Sequence, residues 1–288
     1  MFGDLGEWLS RVIGGGISQT GLLLICVGLP FALVTLLLHW LERQIQLPLV
    51  RRFGWRSILW TGWLGTPIHE LSHVVLCKIF GHRVDEMALF KPDRNSGRLG
   101  YVKHSFNRKN YLQVVGNFFI GIAPLAGGSF VLLLLVRVFY PSAAEQVINA
   151  KSFHAAIANG LVIDSLRTFF EIGFSVLSKI VTLDNVASIQ FWLFIYLTLC
   201  VGSHMAPSRD DYRGALGGGV LVLLILFLTN AVLLIVRNDT GDLIGTLATV
   251  LGPALGMLSL CVILCSLVAL LVFLGTSVLD MAFGSRRA

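Results

Sequence analysis

Charged residues are scarce in this chain of 288 residues. Only 13% are Asp, Glu, Lys or Arg, against about 25% in an average soluble domain. This scarcity excludes the surface of an ordinary soluble enzyme, and several apolar runs reach the roughly 20 residues that a membrane-crossing helix needs. The net charge of +6 comes without an array of basic and aromatic residues. We therefore expect a lipid bilayer, and no nucleic acid, as a partner.

Cysteines are also few, and their spacing does not match a cysteine-based metal-binding motif. None belongs to a CxxC pair with further ligands nearby, and all lie within apolar runs. Such cysteines usually behave as small buried apolar side chains. The five are Cys26, Cys77, Cys200, Cys261 and Cys265.

The apolar runs predict an all-α polytopic membrane protein, a single membrane-embedded domain over residues 1–288 with about six transmembrane helices. A surface helix over 1–18 precedes the first span, and a linker over 41–56 follows it. Turn-forming residues between two β-favouring pieces, 84–90 and 99–106, predict a short β-hairpin. The predicted spans are 20–40, 57–80, 111–137, 188–205, 215–236 and 243–279.

Two segments of the predicted fold need a closer description, the segment before the C-terminal spans and the last span itself. Residues 140–189 predict an interfacial amphipathic helix, with charged residues such as Arg167 and Glu171 on one face. The C-terminal spans occupy 190–279, and Gly252-Pro253 is expected to divide the last of them. The apolar face of the amphipathic helix is expected to contain Leu166, Phe170, Phe174, Leu177 and Val181.

One motif indicates metal binding and catalysis. The residues His69-Glu70-Leu71-Ser72-His73 match the HExxH pattern. On a helix, positions i and i+4 lie on one face, so both imidazoles can bind a single Zn²⁺. Glu70 lies about 100° around the helix and can act as general base and acid toward water at that ion. Inside an apolar segment ionisable residues are costly and usually functional, which disfavours mere hydrogen bonding within a helix bundle. Thr66-Pro67 predicts the start of this helix.

The order of these features resembles the site-2 protease family of intramembrane zinc metalloproteases. The resemblance covers roughly 57–137 and 196–235: an HExxH span, a hairpin-like segment, a Gly/Pro-rich span from Gly116 to Leu125, and a later segment that bears Asp residues. Of these features, only HExxH is specific. The resemblance implies a helical membrane fold, a Zn²⁺ cofactor, and a hairpin whose edge holds the substrate extended.

The third zinc ligand is less clear from the sequence. In the family it is an Asp in a motif close to Asn-Pro-x-x-Asp-Gly, which this chain lacks. The nearest segment, 203–214, offers Asp211 first, with His204 and Asp210 as alternatives. Asp211 could instead cap a helix that begins at Ser208.

Other polar residues have alternative roles. Asn117 could orient a substrate backbone or bond to a neighbouring helix, and His204 could stabilise an oxyanion or end a span. We expect three further histidines to be solvated in loops: His82, His104 and His154.

These features together predict a zinc metalloendopeptidase that hydrolyses peptide bonds in or near transmembrane segments. Its substrate would be a membrane protein with a transmembrane helix, and its location a bacterial cytoplasmic membrane, in which it would be a multi-pass protein. The alternative is a non-proteolytic metal-binding membrane transporter or sensor. The sequence gives no indication of the oligomeric state.

Overall fold

The computed structural model describes residues 2–148, 162–237 and 241–283. Helices predominate, as the sequence predicts, and one two-stranded antiparallel sheet accompanies them. A π-helical turn, Leu24–Gly28, precedes α2, and a 3-10 turn, Trp55–Ile58, precedes α3. In chain order the helices are α1 (Phe2–Leu23), α2 (Leu29–Phe53), α3 (Leu59–Ile79), α4 (Tyr111–Gly121), α5 (Ala123–Phe139), α6 (Pro141–Ile148), α7 (Val162–Ile180), α8 (Leu183–Val186), α9 (Ile189–Gly202), α10 (Arg209–Arg237) and α11 (Gly241–Phe283).

Helix α2 is longer than the first predicted span. It continues to Phe53, so the prediction of a linker over 41–56 is wrong for most of its length. Leu41 and Ile45 explain the extension, because both are buried in the main core and keep this part of the chain packed as a helix. The helix ends at Gly54, whose φ of 81° favours glycine.

Helix α3 also begins earlier than predicted. Its first residue is Leu59, so the predicted start at Thr66-Pro67 is wrong. The early turns are held against α9 by the hydroxyl of Tyr196, which donates to the Trp60 carbonyl at 2.7 Å and accepts from the Trp63 indole at 2.9 Å. These tertiary contacts extend the helix past the local capping signal.

The predicted hairpin is present as β1 (Arg83–Ala88) and β2 (Tyr101–Ser105), in antiparallel register. On its exposed side the Lys103 ammonium donates to Glu86 at 2.7 Å, and the Tyr101 hydroxyl donates to the same carboxylate. Both hydrogen bonds hold the pKa of Glu86 below its ordinary value, and the bond from Lys103 has the larger effect.

The Gly/Pro-rich segment is bent. Helices α4 and α5 meet at 57° around Ile122, with Pro124 in the first turn of α5. Proline has no N–H to continue the hydrogen-bond ladder of the preceding helix, so a break at this position follows from the sequence. The bend separates the two halves of the predicted span 111–137.

Helix α7 lies within the predicted amphipathic segment, of which residues 149–161 fall outside the described residues. Its charged face carries an exposed Arg167–Glu171 pair at 2.8 Å, as expected. On the predicted apolar face Phe170 and Leu177 pack against the core, while Phe174 is 57% exposed. Packing against α6 and α11 buries a neighbouring stripe most completely, and an interfacial position for α7 stays a prediction. The buried stripe is Phe169, Ile172, Val176 and Ile180.

The last helix is continuous. Pro253 lies inside α11, so the predicted division at Gly252-Pro253 is wrong. Beyond that proline the helix is packed inside the fold, where Met257, Leu260 and Cys261 are fully buried. These neighbours hold the helix together in spite of the backbone hydrogen bond that proline removes.

Two helices of the described residues are long and apolar enough to cross a membrane, Arg209–Val236 and Val250–Phe283. The bent pair α4 and α5 would make a third if it counts as one span. Along α10, Leu216, Val220 and Val232 are more than half exposed, a surface that suits lipid. The larger number of about six spans stays a prediction.

Candidate metal centre

The two histidines of the HExxH motif lie on one face of α3. His69 and His73 are one helical turn apart, and their Nε2 atoms are 3.3 Å from each other. Their side chains are 15% and 7% exposed. The structure therefore brings one nitrogen of each ring to a common point.

Asp211 reaches the same point from the first turn of α10. One carboxylate oxygen lies 3.3 Å from Nε2 of His73, and the other lies 3.7 Å from Nε2 of His69. The Ser208 N–H donates to this carboxylate at 2.6 Å, and the Asp211 N–H donates to the Ser208 hydroxyl at 3.3 Å. This reciprocal cap orients the carboxylate toward the histidines, so capping and ligand binding are compatible.

Backbone carbonyls fix the orientation of both imidazoles. The Nδ1 atom of His69 donates to the carbonyl of His204 at 2.8 Å, and that of His73 donates to the carbonyl of Ile120 at 2.8 Å. The Ile120 carbonyl is available because Pro124, four residues later, has no N–H to donate to it. His204 follows the end of α9, where carbonyls are not used by a continuing helix.

These hydrogen bonds decide which nitrogen carries the proton. A carbonyl only accepts, so in neutral histidines the proton is on Nδ1 and the lone pair is on Nε2. Two lone pairs and a carboxylate then face one another, an arrangement that a cation stabilises. Donor atoms around a tetrahedral zinc ion stand about 3.4 Å apart, close to the 3.3–3.7 Å separations here. The donor set therefore fits zinc.

Glu70 lies between this centre and the hairpin. It is 8% exposed and within electrostatic range of His69, His73 and Asp211. Gly100, just before β2, passes so close that an added Cβ would lie 2.9 Å from Cγ of Glu70. The predicted general base is therefore next to both the candidate metal ligands and the backbone that leads into β2.

The other predicted site residues are placed differently. Asp210 is 73% exposed and pairs with Arg98 and Arg213 at 3.7 and 3.6 Å, so it is not in the group of ligand atoms. The His204 carbonyl accepts the hydrogen bond from His69. The His204 imidazole is hydrogen-bonded through Nδ1 to the Ser203 hydroxyl at 3.0 Å. Asn117 is buried on α4, and its predicted role in substrate binding stays a prediction.

The close packing of α4 against α10 positions Asp211. A Cβ on Gly121 would lie 2.5 Å from the Asp211 carbonyl oxygen and 2.7 Å from Cβ of Ala215. A Cβ on Gly218 would lie 2.5 Å from the Val114 carbonyl oxygen. Small residues thus allow the two backbones to approach, as they do between membrane helices in general.

Replacing Gly121 with alanine should lower zinc affinity, because the new methyl group pushes the start of α10 away from α4 and so moves Asp211. An overpacking cost of about 1.4 kcal/mol corresponds to roughly tenfold weaker binding, measurable by competition with a zinc chelator. Gly214→Ala is the control, since nothing lies within 4 Å of an added Cβ there. Equal zinc affinity in the two variants would contradict this role of the α4–α10 contact.

A second group of potential ligands was not predicted from the sequence. Cys77, His82 and His104 bring one ligand atom each to within 4.8 Å of the others. His82 is only 6% exposed, so the expectation that it is solvated is wrong, and burial lowers the pKa of His104 below 6.5. A signal was present, because Cys77 is one helical turn beyond His73 on the same face. His154 lies outside the described residues.

The first group can position a metal ion beside a carboxylate base, which is the minimum that metal-assisted hydrolysis requires. Three is the number of protein ligands usual in catalytic zinc sites, whereas structural zinc sites usually have four. We compared the chain with protein-family models, curated proteins and solved structures, and none of them matches it.

Proposed function

We propose that this protein is an intramembrane zinc metallopeptidase that hydrolyses peptide bonds in or near transmembrane segments of membrane proteins. The observation that carries the proposal is the convergence of His69, His73 and Asp211, with Glu70 beside them. The two imidazoles come from one helix, and the carboxylate comes from a helix that is long and apolar enough to cross a membrane.

Each residue has a defined part in the proposed reaction. His69, His73 and Asp211 would hold the metal, with their orientation set by the Ile120 and His204 carbonyls and by the Ser208 cap. Zinc supplies Lewis acidity toward a carbonyl oxygen and lowers the pKa of water to about 7. Glu70 takes a proton from water as it attacks the scissile carbonyl carbon, and then donates a proton to the leaving amine.

The hairpin fits the needs of a membrane substrate. A helical substrate has its carbonyls in hydrogen bonds, so it must be unwound and held extended before cleavage. Adding the substrate as a strand to a sheet edge does this, and among the described residues β1 and β2 pair only with each other. Because Gly100 adjoins Glu70, a strand added at this hairpin would run close to the base.

We further propose a multi-pass topology in a bacterial cytoplasmic membrane. Support for a membrane location comes from the two apolar helices and the exposed apolar surface of α10. Water must still reach the metal, and the bend between α4 and α5, next to His73, is the suitable place for a polar path.

The second candidate function is metal transport or sensing without proteolysis. The observation that favours it is the second ligand group of Cys77, His82 and His104, in which Cys77 is one helical turn beyond His73. Two metal sites in series would suit a protein that moves or detects ions. The two functions differ in what they require of Glu70, since only the peptidase needs a general base.

The direct test is cleavage of membrane proteins by the purified chain in lipid nanodiscs. A panel of single-span proteins is incubated with the zinc-loaded protein, and new termini within or beside the spans are mapped by mass spectrometry. We expect cleavage that stops after chelation of zinc and returns when zinc is restored. Cleavage that continues in fully chelated protein, or no cleavage of any panel member by zinc-loaded protein, would contradict the proposal.

A further inference from the structure

The second ligand group joins three different parts of the fold. Cys77 lies in the last turn of α3, His82 follows that helix, and His104 is on β2. Cys77 is fully buried, His82 is 6% exposed, and their candidate ligand atoms and that of His104 all lie within 4.8 Å of one another. A group so arranged connects the helix of the HExxH motif to the hairpin.

The hydrogen bonds of His82 define the state of its ring. Its Nε2 atom donates to the Gln113 carbonyl at 2.8 Å, so the proton of the neutral ring is on Nε2. The lone pair is then on Nδ1, which lies 3.0 Å from Nδ1 of His104. Phe106 stacks on the His82 ring, with 5.1 Å between centroids, and keeps that ring in place. One ligand nitrogen is thus pre-oriented by a carbonyl, as in known metal sites.

We propose that Cys77, His82 and His104 form a second metal site, for a transition-metal ion of the kind that thiolate and imidazole ligands prefer, with Zn²⁺ as the expected occupant. One sulfur and two nitrogens suit zinc or copper and not magnesium or calcium. The bound ion would tie β2 to the end of α3 and so fix the hairpin relative to Glu70. Its ligands are separate from those of the first centre, so the site does not depend on the peptidase proposal.

A hydrogen bond between the two histidines is the competing explanation. His104 can donate from Nδ1 to Nδ1 of His82 at 3.0 Å without any metal. That bond does not involve the thiol, however, so only the metal site makes Cys77 necessary. Replacing the sulfur therefore separates the two explanations.

Cobalt is the sharpest probe, because thiolate bound to Co²⁺ gives a charge-transfer band in the near ultraviolet and His and Asp ligands do not. We expect this band in the wild-type protein loaded with Co²⁺, and its loss in Cys77→Ser. The matched control is Cys200→Ser, since Cys200 is equally buried but belongs to neither group of potential metal ligands. Absence of the band in wild-type protein, or its persistence in Cys77→Ser, would overturn the proposal.

Zinc content then assigns the two sites separately. We expect about two zinc ions per chain in the wild type, about one in Asp211→Ala, about one in Cys77→Ser and none in the double variant. If the first centre fails and the second holds, Asp211→Ala keeps the wild-type content while Cys77→Ser loses its zinc. Thermal unfolding of the metal-free proteins checks folding, and Cys77→Ser should unfold in one cooperative transition as the wild type does. Wild-type zinc content in Cys77→Ser refutes the second site.

Discussion

Replacing Glu70 with glutamine is expected to abolish peptide-bond cleavage while leaving the zinc content unchanged. The amide keeps the size of the side chain, so its contact with Gly100 and the packing of the hairpin remain. It cannot accept a proton from water, and general acid–base catalysis contributes about 10²–10⁴-fold to rate. Cleavage rates from the nanodisc assay and zinc measured on the same samples give both results.

The control for this variant is Glu171→Gln. It makes the same chemical change in an exposed pair with Arg167, where both side chains are more than half exposed. An exposed ion pair contributes about 0–1 kcal/mol, so cleavage should stay at the wild-type rate. If Glu70→Gln retains full biological activity together with its zinc, the protein is better described as a transporter or sensor.

The local half of the candidate centre could be predicted from the sequence. The i, i+4 spacing of His69 and His73 places both rings on one helical face, whatever the rest of the fold does. The hairpin was predictable for a similar reason, because its turn formers and β-favouring pieces are close in the chain. Such short-range patterns carry their own geometry.

The third member of the group depends on contacts that the sequence does not encode locally. Asp211 is far from His73 in the chain, and the sequence left it open beside Asp210 and His204. The close approach of α4 and α10 at Gly121 selects Asp211 and directs Asp210 outward to Arg98 and Arg213. The carbonyls that orient the imidazoles are tertiary partners too: Pro124 indicates that the Ile120 carbonyl is free, but only the fold brings His73 to it.

The predicted helix boundaries were wrong where tertiary packing overrides the local sequence signals. The start of α3 at Leu59 is supported by Tyr196 on another helix, and α11 continues through Pro253 inside a packed core. On α7, packing against α6 and α11 determines which apolar side chains are buried. Local propensity is a weak guide wherever tertiary contacts are this extensive.

Replacing Asp211 is expected to remove zinc from the first centre. Without its carboxylate only two imidazoles would remain, fewer than the three protein ligands usual for catalytic zinc. A loss of affinity greater than about 100-fold is expected, since even partners outside the ligand shell cost 10–100-fold. Zinc content and chelator competition measure the loss, and Asp210→Ala, an exposed neighbour, should keep wild-type affinity.

Two substitutions at Asp211 separate its role as ligand from its role as helix cap. Asn keeps an oxygen that accepts from the Ser208 N–H, whereas Ala removes both the cap and the ligand. Both variants should lose zinc, but only Asp211→Ala should also lose about 1 kcal/mol of capping stability in metal-free protein. Should both variants keep zinc while His204→Ala loses it, the ligand would be the imidazole of His204. In that case its ring must turn away from Ser203 when metal binds.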